Sequence, residues 1–237
     1  RPVATDGLAV VVLDRSDGAL RSLLGSPDWR TVPANDAVAR RGAGSTLKPM
    51  IYQAAFDRHL IHPGSLLADL PSDFAGWTPT NADGAYLGAI PADEALAASR
   101  NLPAVRLLAN LGLAAFRSEL AGLGLEAEAV RDLDAALGTG GASPLALAQA
   151  YVRLAAHGDA AVEALRRWPL APALAGREVA WKTGTSHGRR DAWCVAITPR
   201  HVVVVWLGRR DGGSDPACSG VETARPLAAR VVGCLSG

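Results

Sequence analysis

Between Val179 and Arg209 three apolar runs follow one another with almost nothing between them. Val179–Ser186, Asp191–Thr198 and His201–Arg209 are rich in β-branched and aromatic residues, and the pattern predicts a strand over each. The connections, His187-Gly188-Arg189-Arg190 and Pro199-Arg200, are turns. A parallel crossover needs about a dozen residues or more, so the three strands must be antiparallel neighbours. Any fold open to this chain contains that sheet.

The start of the chain adds to it. Leu8–Leu13 reads as a buried strand, closed by the turn Asp14-Arg15-Ser16-Asp17-Gly18, and Ala19–Gly25 returns as the second strand of a hairpin. Between the two strand regions the composition is helical. Met50–Phe56 is one helix, and Pro91–Ala98 another, with a proline start and acids in its first turn. Further helices are expected over Pro103–Leu111, Leu113–Leu120, Ser143–Tyr151 and Val221–Leu235. Ile61–Ile90 has no clear period and reads as a functional or mobile segment. The expectation is an α+β fold: a five-stranded antiparallel sheet flanked by helices, with an inserted all-helical lobe. The sheet lobe would take residues 1–40 and 177–237 and the helical lobe about 41–176, within one domain of 237 residues.

Several function classes drop out early. A net charge of +1 leaves no electrostatic footprint for nucleic acid. Gly138-Thr139-Gly140-Gly141 lacks the lysine and spacing of a phosphate loop. The longest apolar runs, Leu8–Leu13 and Val202–Leu207, are too short to cross a bilayer. No signal peptide is visible, so any export signal or membrane anchor is expected outside this chain. Cys194, Cys218 and Cys234 have no metal-ligand spacing; Cys194 reads as a buried apolar residue, and a Cys218–Cys234 disulfide stays open.

Three polar clusters interrupt the apolar pattern. In Gly44-Ser45-Thr46-Leu47-Lys48-Pro49 a helix opening at Ser45 would put the Lys48 amine on the face of the serine hydroxyl. Serine needs an adjacent base, and a desolvated lysine is one. The helix N-terminus offers N–H groups to an oxyanion. Ser99-Arg100-Asn101 lies between two helices, where a hydroxyl and an amide can face a cleft. In Lys182-Thr183-Gly184-Thr185, Lys182 can set a permanent charge beside a carboxylate, Gly184 can admit a ligand backbone and Thr185 can offer its N–H. Each cluster alone also fits a helix cap or an edge-strand lysine. Together and in this order they form the Ser-x-x-Lys, Ser-x-Asn and Lys-Thr-Gly set of penicillin-binding proteins and serine β-lactamases.

At these residues the chain resembles the transpeptidase domain of class A penicillin-binding proteins, and their 1C branch in particular. Thr78-Pro79-Thr80-Asn81, Ala95–Val105, Leu137–Tyr151, Trp181–Ser186, Arg190-Asp191-Ala192-Trp193 and Val205–Arg209 are similar to that family as well, so the match covers most of Leu8–Gly212. The resemblance implies a Ser45 acyl-enzyme, with Lys48 taking the serine proton. Ser99 and Asn101 would relay a proton and hold the substrate amide. Lys182 and Thr183 would bind a terminal carboxylate, and the Ser45 and Thr185 amides would form the oxyanion hole around Gly184. Peptidoglycan stem peptides and β-lactams are the implied ligands, with cell-wall synthesis proteins as partners, no cofactor or metal, and a periplasmic or extracytoplasmic location. The interval from Ala160 to Val179 is shorter than the family's. Two alternatives keep the same motifs: a β-lactamase or D,D-carboxypeptidase, and a non-catalytic wall-peptide-binding domain. The first needs a glutamate for the deacylating water, and Glu119, Glu126 and Glu128 carry no recognisable signature for it.

Overall fold

Strand β1 (Gly7–Asp14) turns through Asp14–Gly18 into β2 (Leu20–Leu24), in a computed structural model that describes residues 5–31, 33–157, 159–167, 174 and 176–235. Side chains make the turn: Asp14 Oδ1 accepts from Ser16 N at 2.9 Å and Asp17 Oδ1 from Ala19 N at 2.8 Å. A 3₁₀ turn, Gly44–Leu47, leads directly into α1 (Lys48–Asp57). The middle of the chain supplies β3 (Leu66–Asp69), β4 (Gly88–Pro91), α2 (Ala92–Ala97), α3 (Asn101–Leu111), α4 (Leu113–Gly122), α5 (Pro144–His157) and α6 (Asp159–Arg166). Then come β5 (Ala180–Thr185), β6 (Asp191–Ile197), β7 (His201–Gly208) and, after a π turn over Gly220–Ala224, α7 (Arg225–Cys234).

The five expected strands form one antiparallel sheet in the order β2-β1-β7-β6-β5. Its central runs are continuously apolar because both faces are covered. Val11, Leu13, Trp193, Val195, Ile197, Val202, Val204 and Trp206 face the core shared with the inserted helices. Their neighbours Val10, Val12, Cys194, Ala196, Val203 and Val205 face a second core that α7 closes. The alternation follows from the period of two in a strand.

Two expectations need correction. The inserted segment is not all helical, since β3 and β4 pair antiparallel within it. Each is only four residues long and their partners lie on either side of a long loop, so no local periodicity announces them. The Cys218–Cys234 pairing that the sequence left open does not form, since the three cysteines are free, Cys194 and Cys218 buried and Cys234 exposed. Helix α3 also starts earlier than expected, at Asn101, because Pro103 falls in the first turn, where a missing N–H costs nothing. Part of the short interval before β5, residues 168–173 and 175, lies outside the described residues. Among the described residues no helix is long and apolar enough to cross a membrane.

Candidate active site

Ser45 sits in the 3₁₀ turn rather than in the first turn of the α-helix, and its neighbours are held from several sides. Trp193 Nε1 donates to Gly42 O at 2.7 Å, Ala43 N to Gly138 O at 3.0 Å and Tyr151 Oη to Thr46 O at 2.7 Å. The turn lies directly against β5. A Cβ on Gly44, whose φ is +54°, would lie 2.7 Å from Thr185 O, and one on Gly184 would lie 2.9 Å from Ala43 O. Gly184 therefore admits the chain's own turn; on that side no room is left for the ligand backbone expected from sequence. Ser186 N bonds Asp191 O, and the antiparallel ladder alternates from there. The amides of Thr183 and Thr185 consequently point to the free edge of the sheet, and the Thr185 backbone lies against Gly44 of the Ser45 turn.

Lys48 is fully buried, and its Nζ donates to Ser99 O and to Asn101 Oδ1, both at 2.6 Å. The Ser45 hydroxyl is half-buried and takes no hydrogen-bond partner among the described residues. Lys182, equally enclosed, donates to Ser99 Oγ at 2.8 Å and to Thr183 O at 2.7 Å. Ser99 thus receives one lysine on its carbonyl and the other on its hydroxyl. Its φ of +56° puts a non-glycine residue in the left-handed region, a strained corner of the kind found at functional sites. The Asn101 amide is aimed by its donation to Thr80 O at 2.7 Å.

Burial removes both lysines from water, and each loses proton affinity. Lys48 falls well below the ordinary lysine value through desolvation first, then the charges of Lys182 and Arg100. Desolvation brings Lys182 down to about 7. The Lys182 charge is therefore not permanent, as the sequence reading had it; near neutrality it is partly lost until an anion arrives.

Of the side chains that frame this corner, Asp69 alone stood outside the motifs legible in the sequence. Asp69, with no exposure, accepts from Arg100 Nε at 2.7 Å, Asn81 Nδ2 at 2.6 Å and Leu87 N at 3.1 Å. Asn81 Oδ1 in turn accepts from Asn101 N at 2.8 Å, capping α3 from outside. On the sheet side Asp191 accepts from Ser186 Oγ at 2.7 Å and Trp206 Nε1 at 3.0 Å, tying the end of β5 to its neighbours. An aspartate closing an apolar tetrapeptide was the only available signal for Asp69. Beside the corner a cleft of about 380 Å³ is lined by Pro71, Ser72, Asp73, Thr78, Thr80 and Tyr86. Among the described residues no cluster of His, Cys, Asp or Glu could hold a metal ion.

An α+β fold with a serine turn, a buried lysine at i+3 and a second lysine on the adjoining edge strand has the layout of a serine–lysine site. The chain belongs to the penicillin-binding protein transpeptidase family, whose domain model matches residues 8–162. Penicillin-binding protein 1C of Escherichia coli (strain K12) is 35% identical over 256 residues, which is 93% of this chain and 33% of that protein. Penicillin-binding protein 1A of Neisseria gonorrhoeae is 29% identical over 255 residues, 84% of this chain and 32% of that protein. Among solved structures, penicillin-binding protein 1A from Haemophilus influenzae shares the fold at a TM-score of 0.86 and 19% identity, over 97% of this chain and 48% of that one. PonA1 from Mycobacterium tuberculosis in complex with penicillin V gives 0.83 at 22% identity, over 100% of this chain and 80% of that one. The chain spans about a third of the length of these curated relatives.

Proposed function

We propose that this chain is a peptidoglycan D,D-transpeptidase domain that works through a Ser45 acyl-enzyme and is acylated by β-lactams. The meeting of Lys48 and Lys182 on Ser99, beside the Ser45 turn, carries the reading. In it, neutral Lys48 takes the Ser45 hydroxyl proton as Oγ attacks the penultimate D-Ala carbonyl. The oxyanion is received by the amides of Ser45 and Thr185. The C–N bond then breaks, the departing D-Ala amine takes a proton through Ser99 Oγ, and the peptide is left as an ester on Ser45. An acceptor stem-peptide amine attacks that ester, the C–O bond breaks, and the proton it sheds returns to Ser45. Lys182 and Thr183 hold the terminal carboxylate; its arrival restores the Lys182 charge, and Asn101 holds the substrate amide. Such a substrate lies outside the cytoplasmic membrane, so the domain would act there.

Water as the second acceptor would make the chain a β-lactamase or carboxypeptidase, and the placement of the glutamates disfavours that. Glu119 pairs with Arg58, beyond the C-terminus of α1 and about 15 Å along the helix from Lys48. Glu126 pairs with Arg40. Incubation with a fluorescent penicillin tests the proposal. Wild type should gain the mass of one penicilloyl group and keep it for many minutes, whereas Ser45→Ala should gain none with its melting temperature nearly unchanged. Label on the alanine variant would remove Ser45 as nucleophile, and loss of label within seconds would turn the reading to a hydrolase.

A further inference from the structure

The residue between Ser99 and Asn101 is the least explained part of the corner. Arg100 is 7% exposed, and its guanidinium is tethered at all three nitrogens. Nε donates to Asp69 Oδ2 at 2.7 Å, Nη1 to Asp83 Oδ2 at 2.7 Å and Nη2 to Ala85 O. Asp69 also holds Asn81, which accepts the Asn101 amide. The middle of the Ser99–Asn101 corner, through Arg100, and its Asn101 end, through Asn81, therefore lead to one buried carboxylate.

We infer that Arg100 and Asp69 are positioning residues of the acylation step: their buried ion pair holds the Ser99–Asn101 corner around the Lys48 amine and balances the charge behind it. The inference rests on the Ser45 acyl-enzyme proposed above. A buried ion pair adds little net stability over apolar residues of the same volume, so stability alone gives no reason to put one here. What it adds is geometry and field. The fork of Arg100 fixes the peptide that carries the strained Ser99, so that Ser99 O and Asn101 Oδ1 both reach Lys48 Nζ at 2.6 Å. The two charges act oppositely on that amine: Arg100 disfavours its proton and Asp69 favours it.

The other groups around Lys48 are few. Lys182 on β5 disfavours its proton as well. Tyr52 lies one turn along α1, raised by burial and by Asp69, and Tyr151 on α5 donates to Thr46 O. Asp83 reaches the site only through Arg100. Glu119 on α4 is taken by Arg58. Arg166 of α6 pairs with Glu163 and Glu178, and Arg167, just past its end, pairs with Asp93 and Glu94.

Opposite signs make the test. The rate of acylation by a fluorescent penicillin is followed against pH for wild type, Arg100→Gln, Asp69→Asn and Arg100→Lys. The rising limb reports loss of the Lys48 proton. Its midpoint should move up by about half to one pH unit in Arg100→Gln and down by a similar amount in Asp69→Asn. Arg100→Lys keeps the charge but not the fork, so its limb should stay while its rate drops several-fold. A merely structural pair would lower both rates with no split, and limbs that move together or not at all overturn the inference. If circular dichroism shows Arg100→Gln unfolded, Asp69→Asn decides: a limb that moves up or stays in place overturns it. A wild type that takes no label overturns the Ser45 reading and this inference with it, whereas a labelled wild type with unsplit limbs overturns this inference alone.

Discussion

Burial of Lys182 has two consequences, the first for stability against pH. In the unfolded chain its amine holds a proton up to about 10.5, whereas burial in the native state brings it to about 7. Between those values the unfolded state binds more protons, so stability rises with pH, by up to ~1.4 kcal/mol per pH unit for this one group. Below pH 7 both states carry the charge and the burial penalty is fully present. Lys48 contributes with the same sign. Melting temperature should therefore climb from pH 6.5 to 9 in wild type and climb less steeply in Lys182→Met; parallel curves would show that Lys182 is solvated in the native protein. The second effect falls on acylation. Lys182→Ala should slow acylation by a penicillin carrying its carboxylate at least about tenfold, equivalent to about 1.4 kcal/mol. An ester lacking that carboxylate should be affected much less, and equal losses would remove Lys182 from anion recognition.

At the scale of elements, the turn and β5 are fitted through absent side chains. In Gly184→Ala the added methyl carbon would lie 2.9 Å from Ala43 O, 3.2 Å from Thr46 N and 2.8 Å from Thr46 Cγ2. Thr46 is held by Tyr151 and by its own bond to Ala43 O at 2.7 Å, so the turn cannot yield by moving one rotamer. The Ser45 turn would instead lift from the strand, away from the Thr185 amide. Acylation should fall by about a hundredfold or more, near 3 kcal/mol, as for loss of an oxyanion donor. A stopped-flow rate within threefold of wild type would show that the turn and strand do not need this contact. This fit also marks where sequence reading ends. The five strands, the helix after Ser45 and the order of the three motifs are local patterns, and they were legible. Gly184 read as space for a ligand, because nothing in Lys-Thr-Gly says that the chain itself fills one side. Asp69 and Arg100 stand 31 positions apart and meet only after β3 has paired and α3 has docked, so neither could be paired in advance.

Apart from the exposed strand β2, the molecule is a sheet covered on both faces, and its thiols report that closure. Cys194, on the interior strand β6, and Cys218, before α7, both lie in the core between the sheet and α7, without exposure. Burial raises the Cys194 thiol strongly and the Cys218 thiol to about 11, so neither offers a thiolate near neutrality. Cys234, at the end of α7, is exposed and bonded to neither. Maleimide should therefore add to one thiol in the native protein and to three in denaturant without reductant. A Cys218–Cys234 disulfide would instead leave one reactive thiol in denaturant and none in the native state. The time course separates local from global opening. If α7 frays independently, Cys218 and Cys194 will be labelled together, well before the protein unfolds, and at a rate that β-lactam binding leaves unchanged. If the sheet and its two covers open as one unit, their labelling will track global unfolding and slow when Ser45 is acylated, because an acyl group held between Thr185 and Asn101 fastens β5 to the inserted helices. The sheet core is continuous from β1 to β6 on both faces, and the Ser45 turn is fastened to β6 through Trp193 and to α5 through Tyr151, so the second outcome is the one expected.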